Sequence, residues 1–579
     1  MTSTPSSSPG LSLQVTIFID PENVPKFFEA FLPAYEKVTA EPECTFFEVY
    51  QSLENPGELS WVENWQKKTA SCSVAGQYAF NLSRSVHTSC NANPDWFHYT
   101  RGRFVTNEAH EMLIRHVEFD MSELAKCAAE SVGFPHTECT QIEKFPDGMY
   151  NKAFLFTMQD GIQVVGKVPN PNAGRAHYTT ASEVATMDFA RNELQTPVPR
   201  VLAWSSRAEE TPVRAEYIIM EKVPGVQLEK VWPKMDIKQR FELVKTISKY
   251  QKAWMSTTFS QYGSLYYSDD INGAEGCGLI KQDSSLSSHQ RFAVGPSTGR
   301  EFVDDGRLSL DFHRGPWNTV EEYKSAIGLR EIACVQQINQ LPRSPLSLYG
   351  PATYVPPRSK KIAALQNYLR LVKYLLPTDN IFVDAERPSE VLGIIDWQSS
   401  EILPELSPVE KARAQDLYLK MSLSALYRKL TLKTNSALFK AMEFRQTIGF
   451  DIMLYAQNIL IDGEALYQSS CLDLANGWAD LPAVEGGESP PFPLRFSSEE
   501  IQIINEDAEA AVKAMELMGE LRDEVGDLWP EKGIVRPEQY NEAKQRLKQA
   551  KEELIGRLAN TCAERVAWEE AWPFDNGTR

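Results

Sequence analysis

The chain has 579 residues, a hydrophobic fraction of 42% and a formal net charge of −19. That length allows several domains, and the composition is that of a globular protein. The acidic balance argues against a nucleic-acid or anionic-membrane partner, because both are bound through clustered Lys and Arg. No apolar run is long enough to span a bilayer, and the 9 cysteines form no CxxC pair, which fits a reducing compartment without a zinc site or disulfide framework.

Residues 1–10, MTSTPSSSPG, are Ser/Pro-rich and expected to be disordered. Leu13, Val15, Ile17 and Ile19 alternate with polar residues as in a half-buried strand. Val24, Phe27, Phe28, Phe31, Leu32, Tyr35 and Val38 then recur at helical spacing. CTFFEVYQS and ELSWVENW are two further strands on either side of an NPG turn. This β-α-β-β order is the first part of a ferredoxin-like α/β unit. Its text, AEPECTFFEVYQS and NPGELSWVENW, resembles the antibiotic-biosynthesis-monooxygenase (ABM) domains, small dimeric proteins, over residues 11–66. Without a second helix and a last strand, one apolar sheet face is left partly uncovered, so the unit is expected to be unstable or to self-associate.

Residues 67–94 lose their acidic side chains and keep Lys, Arg, Ser and small residues. That is the composition of a mitochondrial transit peptide, here internal; a flexible linker is the equal alternative. If a mature protein starts near Asn91, the chain is a fusion of two genes.

From Asp95 onward, Asp120-x-x-Glu123 opens a helix that Gly133 stops. KFPDGMYNKAFLFTMQDGIQVVGKVP reads as two strands around a QDG turn, with FPDGMYN before the first. This segment, with its single Gly148, stands where a kinase places the loop over ATP phosphates. Lys167 on the second strand can pair with the α- and β-phosphates; a strand lysine reaching solvent is the alternative. Glu183 lies on a helix whose Val184, Met187, Ala190 and Leu194 share a face, with Phe189 off it. Glu183 there can hold Lys167 by an ion pair, or can simply be an exposed helix carboxylate. PVPRVLAWS is an edge strand, and RAEYIIMEKVPGVQL a buried strand ending in a hinge, where Met220, Glu221 and Val223 would line an adenine slot.

Residues 232–375 read as mostly helical, with KQRFELVKTISKYQKAWM amphipathic. Arg314 and Trp317 can frame a substrate cleft, although arginines also cap helices, and His313 reads as structural. Farther on, IFVD and VLGIID form two strands joined by a polar turn, with Asn380 entering the first and Asp396 leaving the second. An amide and a carboxylate so placed can converge on Mg²⁺; a plain hairpin with solvated ends is the alternative. Ser497-x-x-Glu500 opens the first of two long charged helices.

The stretch NIFVDAERPSEVLGIIDWQ (380–398) resembles the end of the catalytic loop and the metal-binding Asp of the aminoglycoside-phosphotransferase-like kinases. It is most like their fungal branch, which includes the "altered inheritance of mitochondria" proteins. The resemblance covers about residues 95–575. It implies an α+β, bilobal protein-kinase-like fold, with an N-lobe over 95–230 and a helical C-lobe over 231–579. It also implies ATP bound by Gly148, Lys167, Glu183, Met220, Glu221 and Val223, Mg²⁺ bound by Asn380 and Asp396, and a mitochondrial or otherwise cytoplasmic location. One departure is large. The family's catalytic Asp stands five residues before Asn380, which here is Leu375, and its His position is Lys373. The text reads as though the segment holding the base were excised near Pro377 and Thr378. Three expectations follow: an ATP- and Mg²⁺-dependent phosphotransferase acting on a small-molecule hydroxyl, an inactive pseudokinase or mitochondrial binding protein of the same shape, and an ABM-type oxygenase.

Overall fold

The computed structural model describes residues 11–18, 21–39, 44–51, 56–65, 91, 93–133, 139–255, 257–271, 278–281, 286–288, 291–375, 382–383, 391–393, 424, 426–478 and 490–575. It is a mixed α+β structure of two compact units, one of residues 1–98 with 119–126 and the other of 99–118 with 127–579.

The first unit runs β1 (Leu11–Phe18), α1 (Val24–Thr39), β2 (Cys44–Gln51) and β3 (Glu58–Trp65). The strands form an antiparallel sheet of order β1-β3-β2, with Val15 opposite Trp61 and Val49 opposite Trp61 on the other side. Helical spacing brings Val24, Phe27 and Phe31 onto Leu59 and Trp61, with Phe27 and Phe31 stacked at 5.1 Å between ring centroids. Phe28 and Leu32, read from the sequence as part of that stripe, are exposed on its flank. The buried arc of a single helix on three strands is narrower than the run of apolar residues.

In the second unit, β4 (Arg103–Phe104) and α2 (Glu108–Leu113) precede α3 (Met121–Glu130), which crosses the division between units. Asp120 Oδ1 accepts the Glu123 amide at 3.0 Å, and Gly133 ends the segment with φ +87°. A five-stranded antiparallel sheet follows, from β5 (Cys139–Lys144), β6 (Asn151–Met158), β7 (Gln163–Pro169), β8 (Val201–Ser205) and β9 (Tyr217–Glu221), in the order β5-β6-β7-β9-β8. β5 is an element the sequence reading lacks: CTQIEK has a single strongly apolar residue, Ile142, between the exposed Gln141 and Glu143 of an edge strand. It moves FPDGMYN from the front of the sheet to the turn between its first two strands. α4 (Tyr178–Asn192) lies on β8 and β9 and also on the pair β11 (Ser264–Tyr267) and β14 (Phe292–Gly295). Covered on two sides, it buries Phe189 against Phe292 as well as burying Val184, which corrects the single-face reading.

The span 257–295 is also less helical than its sequence suggests. Besides β11 and β14 it holds β10 (Thr257–Phe259), β12 (Gly278–Lys281) and β13 (Leu286–Ser288) in a three-stranded sheet. α5 (Ile237–Trp254) starts at the capping box of Asp236 and Gln239 and leaves Ile237, Ile247 and Trp254 exposed. The main core gathers α6 (Val320–Gln337), α7 (Arg358–Leu375), α9 (Ile448–Asn458) and α10 (Glu464–Asn476), with α8 (Ser436–Phe444) beside them. Gly328 permits the close approach of α6 and α7, since a Cβ there would lie 2.9 Å from both Leu369 and Tyr368 side chains. β15 (Phe382–Val383) and β16 (Val391–Gly393) pair antiparallel at the IFVD and VLGIID segments. A last layer packs α11 (Ser498–Val525), with its Ser497/Glu500 capping box, against α12 (Tyr540–Leu558) and α13 (Cys562–Ala571) around Leu521, Leu547 and Trp568. β17 (Ile534–Val535), between α11 and α12, pairs with β4. No helix among the described residues is long and apolar enough to cross a membrane.

Candidate functional site

Lys167 sits on β7, the central strand of the five, opposite Ala153 on β6 and Ile218 on β9. Strand alternation puts Val164, Gly166 and Val168 in the core and turns Lys167 to the other face. Gly166 is required there: a Cβ would lie 2.6 Å from the Phe156 ring. From α4, Glu183 meets the lysine, and Lys167 Nζ donates to both carboxylate oxygens at 2.5 Å. The lysine side chain is 16% exposed and the glutamate 36%, so the pair is sheltered yet open to a ligand. These two residues, 16 apart in the chain, are the part of the sequence-predicted site that the structure brings together.

The turn between β5 and β6 has an unusual balance of hydrogen bonds. Phe145 N donates to Ala153 O, and Gly148 N to Asn151 O at 3.1 Å. The amides of Asp147, Met149 and Tyr150 donate to no acceptor among the described residues. Met149 and Tyr150 are the adjacent pair, and successive unpaired N–H groups in a turn can hold an anion. Gly148 is less special than its sequence position suggests, because the nearest atom to an added Cβ is 3.5 Å away. Arg300 lies over the Tyr150 ring at 3.9 Å and donates to Asn172 O and Ala173 O, on the segment that joins β7 to α4.

Met220 and Glu221 end β9 beside Val165 and Val164, and Val223 beyond them is exposed. The Glu221 carboxylate faces Arg191 at 3.6 Å and Arg200 at 3.3 Å, and its N–H donates to Arg200 O at 3.0 Å, so its side chain and amide are both already engaged. Asn380 and Asp396 lie outside the described residues. Leu375, at the end of α7, is buried in the main core. Arg314 and Trp317 are both buried: Arg314 donates to the carbonyls of Arg307, Leu310 and Phe312, which is a loop-fastening role, and His313 packs edge-on to Trp317. No group of three or more His, Cys, Asp or Glu able to hold a metal occurs among the described residues.

Two buried polar residues escaped the sequence reading. Asp147 is fully buried in the β5–β6 turn. Lys152, on the apolar face of β6 with Phe154 and Phe156, donates to Arg115 O at 2.5 Å and Asn170 Oδ1 at 2.8 Å. Its only signal in the sequence is a charge at an inward position of a strand. Burial pushes the Lys152 ammonium down to about 8 from the ordinary 10.5. The unfolded chain therefore binds more protons than the folded one between those values, and Lys152 contributes increasing stability as pH rises from about 8 towards 10.5. Thermal unfolding at stepped pH checks this: Lys152→Met is expected to flatten that rise while lowering stability at its top, where the two acceptors lose their donor.

Residues 11–71 match the family model described as antibiotic biosynthesis monooxygenase. An ABM domain thus opens the chain. The chain is 30% identical over 310 residues to a subtelomeric hrmA-associated cluster protein of Aspergillus fumigatus, covering 46% of this chain and 58% of that one. It is 26% identical over 276 residues to altered inheritance of mitochondria protein 9, mitochondrial, of Yarrowia lipolytica, covering 43% of this chain and 48% of the relative. With the protein of the same name from Candida albicans it shares 29% identity over 196 residues, 31% of this chain and 30% of that one. The chain spans 58% or less of the length of these curated relatives.

Proposed function

We propose that the second unit binds a nucleoside triphosphate with Mg²⁺, in the manner of a phosphotransferase. The observation that carries this reading is the Lys167–Glu183 ion pair, held between the central strand of a five-stranded antiparallel sheet and the helix that covers it. In phosphoryl transfer a strand lysine fixed by a helix glutamate grips the α- and β-phosphates. Three unpartnered amides in the Phe145–Tyr150 turn add a second anion-binding element at the same sheet. The end of β9, at Met220, Glu221 and Val223, would supply backbone groups to the base. Asn380 and Asp396, flanking the β15–β16 pair, would supply the oxygen ligands that Mg²⁺ prefers. The resemblance of residues 95–575 to aminoglycoside-phosphotransferase-like kinases supports the same assignment. An acceptor hydroxyl on a small molecule is the expected phosphoryl destination.

Catalysis is a separate matter from binding, and Leu375 favours the second reading. An apolar, buried side chain stands where the resemblance calls for a carboxylate base. General base catalysis contributes ~10²–10⁴-fold, and the loop that carries the base also aligns the acceptor. The chain in this form is then a nucleotide-binding, non-catalytic protein, and the names of its relatives favour a mitochondrial setting for it. Oxygenase activity in residues 11–71 is the weakest reading, because the aromatic residues of that domain fill its core. Isothermal titration with Mg²⁺-ADP tests the binding reading: saturable binding supports it, and no heat or thermal shift at millimolar nucleotide overturns it.

A further inference from the structure

The Phe145–Tyr150 turn does not take its shape from glycine. Its single Gly148 has ordinary space around it and no positive φ. The shape is imposed by a segment far away in the chain. Asp147, fully buried, accepts three hydrogen bonds on one oxygen: from Lys144 Nζ at 2.7 Å, Thr100 N at 2.8 Å and Thr100 Oγ1 at 2.8 Å. Arg101 Nη1 reaches the Asp147 carbonyl at 3.5 Å, and the Tyr99 hydroxyl reaches Met149 Sδ at 3.9 Å. The same segment then runs behind the sheet, where Arg115 O receives Lys152 Nζ and Ile114 O receives the Asn172 amide.

Its other edge is anchored in the C-terminal layer. β4 pairs with β17, Val105 N donates to Gly533 O at 3.0 Å, and Arg103 lies 3.6 Å over the Tyr540 ring. Gly102 marks the crossing: a Cβ there would be 2.6 Å from Ile534 Cγ2 and 2.7 Å from Val535 O. One stretch of 17 residues, 99–115, thus ties α12 to the turn whose amides are unpaired and to the segment leading from Lys167 to Glu183.

We propose that residues 99–115 form a strap that fixes the Phe145–Tyr150 turn in its phosphate-accepting shape, with Thr100 and Asp147 as positioning residues. The inference rests on the nucleotide reading above and deepens it. The turn lacks the glycines that would let it wrap a phosphate unaided, so its geometry is borrowed from the C-terminal helices through the strap. Asp147 itself touches no phosphate: its charge is spent on Lys144 and Thr100, and what it delivers is the direction of the neighbouring amides.

The test uses the full chain with three variants: Thr100→Val, which removes one donor at an exposed residue; Thr100→Ser, which restores it; and Asp147→Asn. Two readouts are taken, Mg²⁺-ADP affinity by titration calorimetry and hydrogen exchange at residues 145–151. Thr100→Val is expected to weaken affinity about tenfold or more through misplacement alone and to speed exchange in the turn, at an unfolding temperature close to that of the wild type. Thr100→Ser is expected to bind as the wild type does, and Asp147→Asn to lose more than Thr100→Val. Wild-type affinity and exchange in Thr100→Val, in a protein whose Lys167→Ala variant has lost binding, would overturn the strap and leave the nucleotide reading standing. Absence of nucleotide binding in the wild type overturns the function proposed above. The strap is then decided by exchange alone, with an unchanged rate in Thr100→Val sinking it.

Discussion

Glu331→Gln is expected to cost the second unit about 3–5 kcal/mol, the penalty for leaving buried charges without their partner. Glu331 is fully buried on α6. One oxygen accepts from Arg307 Nε and Arg330 Nε, each at 2.9 Å; the other accepts from Arg307 Nη2 at 3.0 Å and the Leu460 amide at 3.1 Å. Arg307 keeps a second carboxylate in Asp305 at 3.0 Å, whereas Arg330 has Glu331 alone as an ion-pair partner among the described residues. Removing the negative charge strands the Arg330 guanidinium in the protein interior and leaves Arg307 with Asp305 alone. It also frees the end of α9, which Leu460 closes. Denaturant titration of the wild type and the variant measures the loss. The double variant Glu331→Gln, Arg330→Met should recover part of it, because the more isolated of the two charges is then gone. A Glu331→Gln protein as stable as the wild type would show that water reaches these arginines.

Lys167→Ala is expected to abolish the thermal stabilisation given by Mg²⁺-ADP and to weaken affinity well beyond tenfold. Under the nucleotide reading proposed above, the lysine is the charge that meets the phosphates, and Glu183 is its carboxylate partner at 2.5 Å. Glu183→Gln should lose less, since it misdirects the ammonium without deleting it. Phosphate release is expected to stay at background in the wild type as well as in both variants, because Leu375 supplies no base. Full affinity in Lys167→Ala would move any nucleotide site away from β7.

The Lys167–Glu183 pairing was legible because both ends sit in strongly patterned elements. QVVGKVP alternates, TTASEVATMDFARN has helical period, and the 8 residues between the strand and the helix keep the helix close to the sheet. Boundaries followed where the caps are local: Asp120 with Glu123, Ser497 with Glu500, and the Asp160–Gly161 turn, where Gly161 has φ +90°. Reading failed where the deciding partner is distant. Phe189 looked peripheral because a lone helix has one buried face, and only the β11–β14 pair gives it a second. β5 was missed because CTQIEK offers only Ile142 as a strongly apolar residue, too little for an alternation to show.

The sequence by itself determined the local elements of this chain: the β-α-β-β opening, the lysine strand and glutamate helix, and the capped helices near the end. Those depend on spacing and capping within a few residues, and such information is written along the chain. Only the tertiary structure decided what surrounds them. Glu331 became the hub of two arginines, Asp147 the knot of the β5–β6 turn, and Gly102 the crossing point of a strap. Each is an ordinary polar or small residue whose role comes from desolvation and contact with groups tens to hundreds of positions away, and no local period records such a contact.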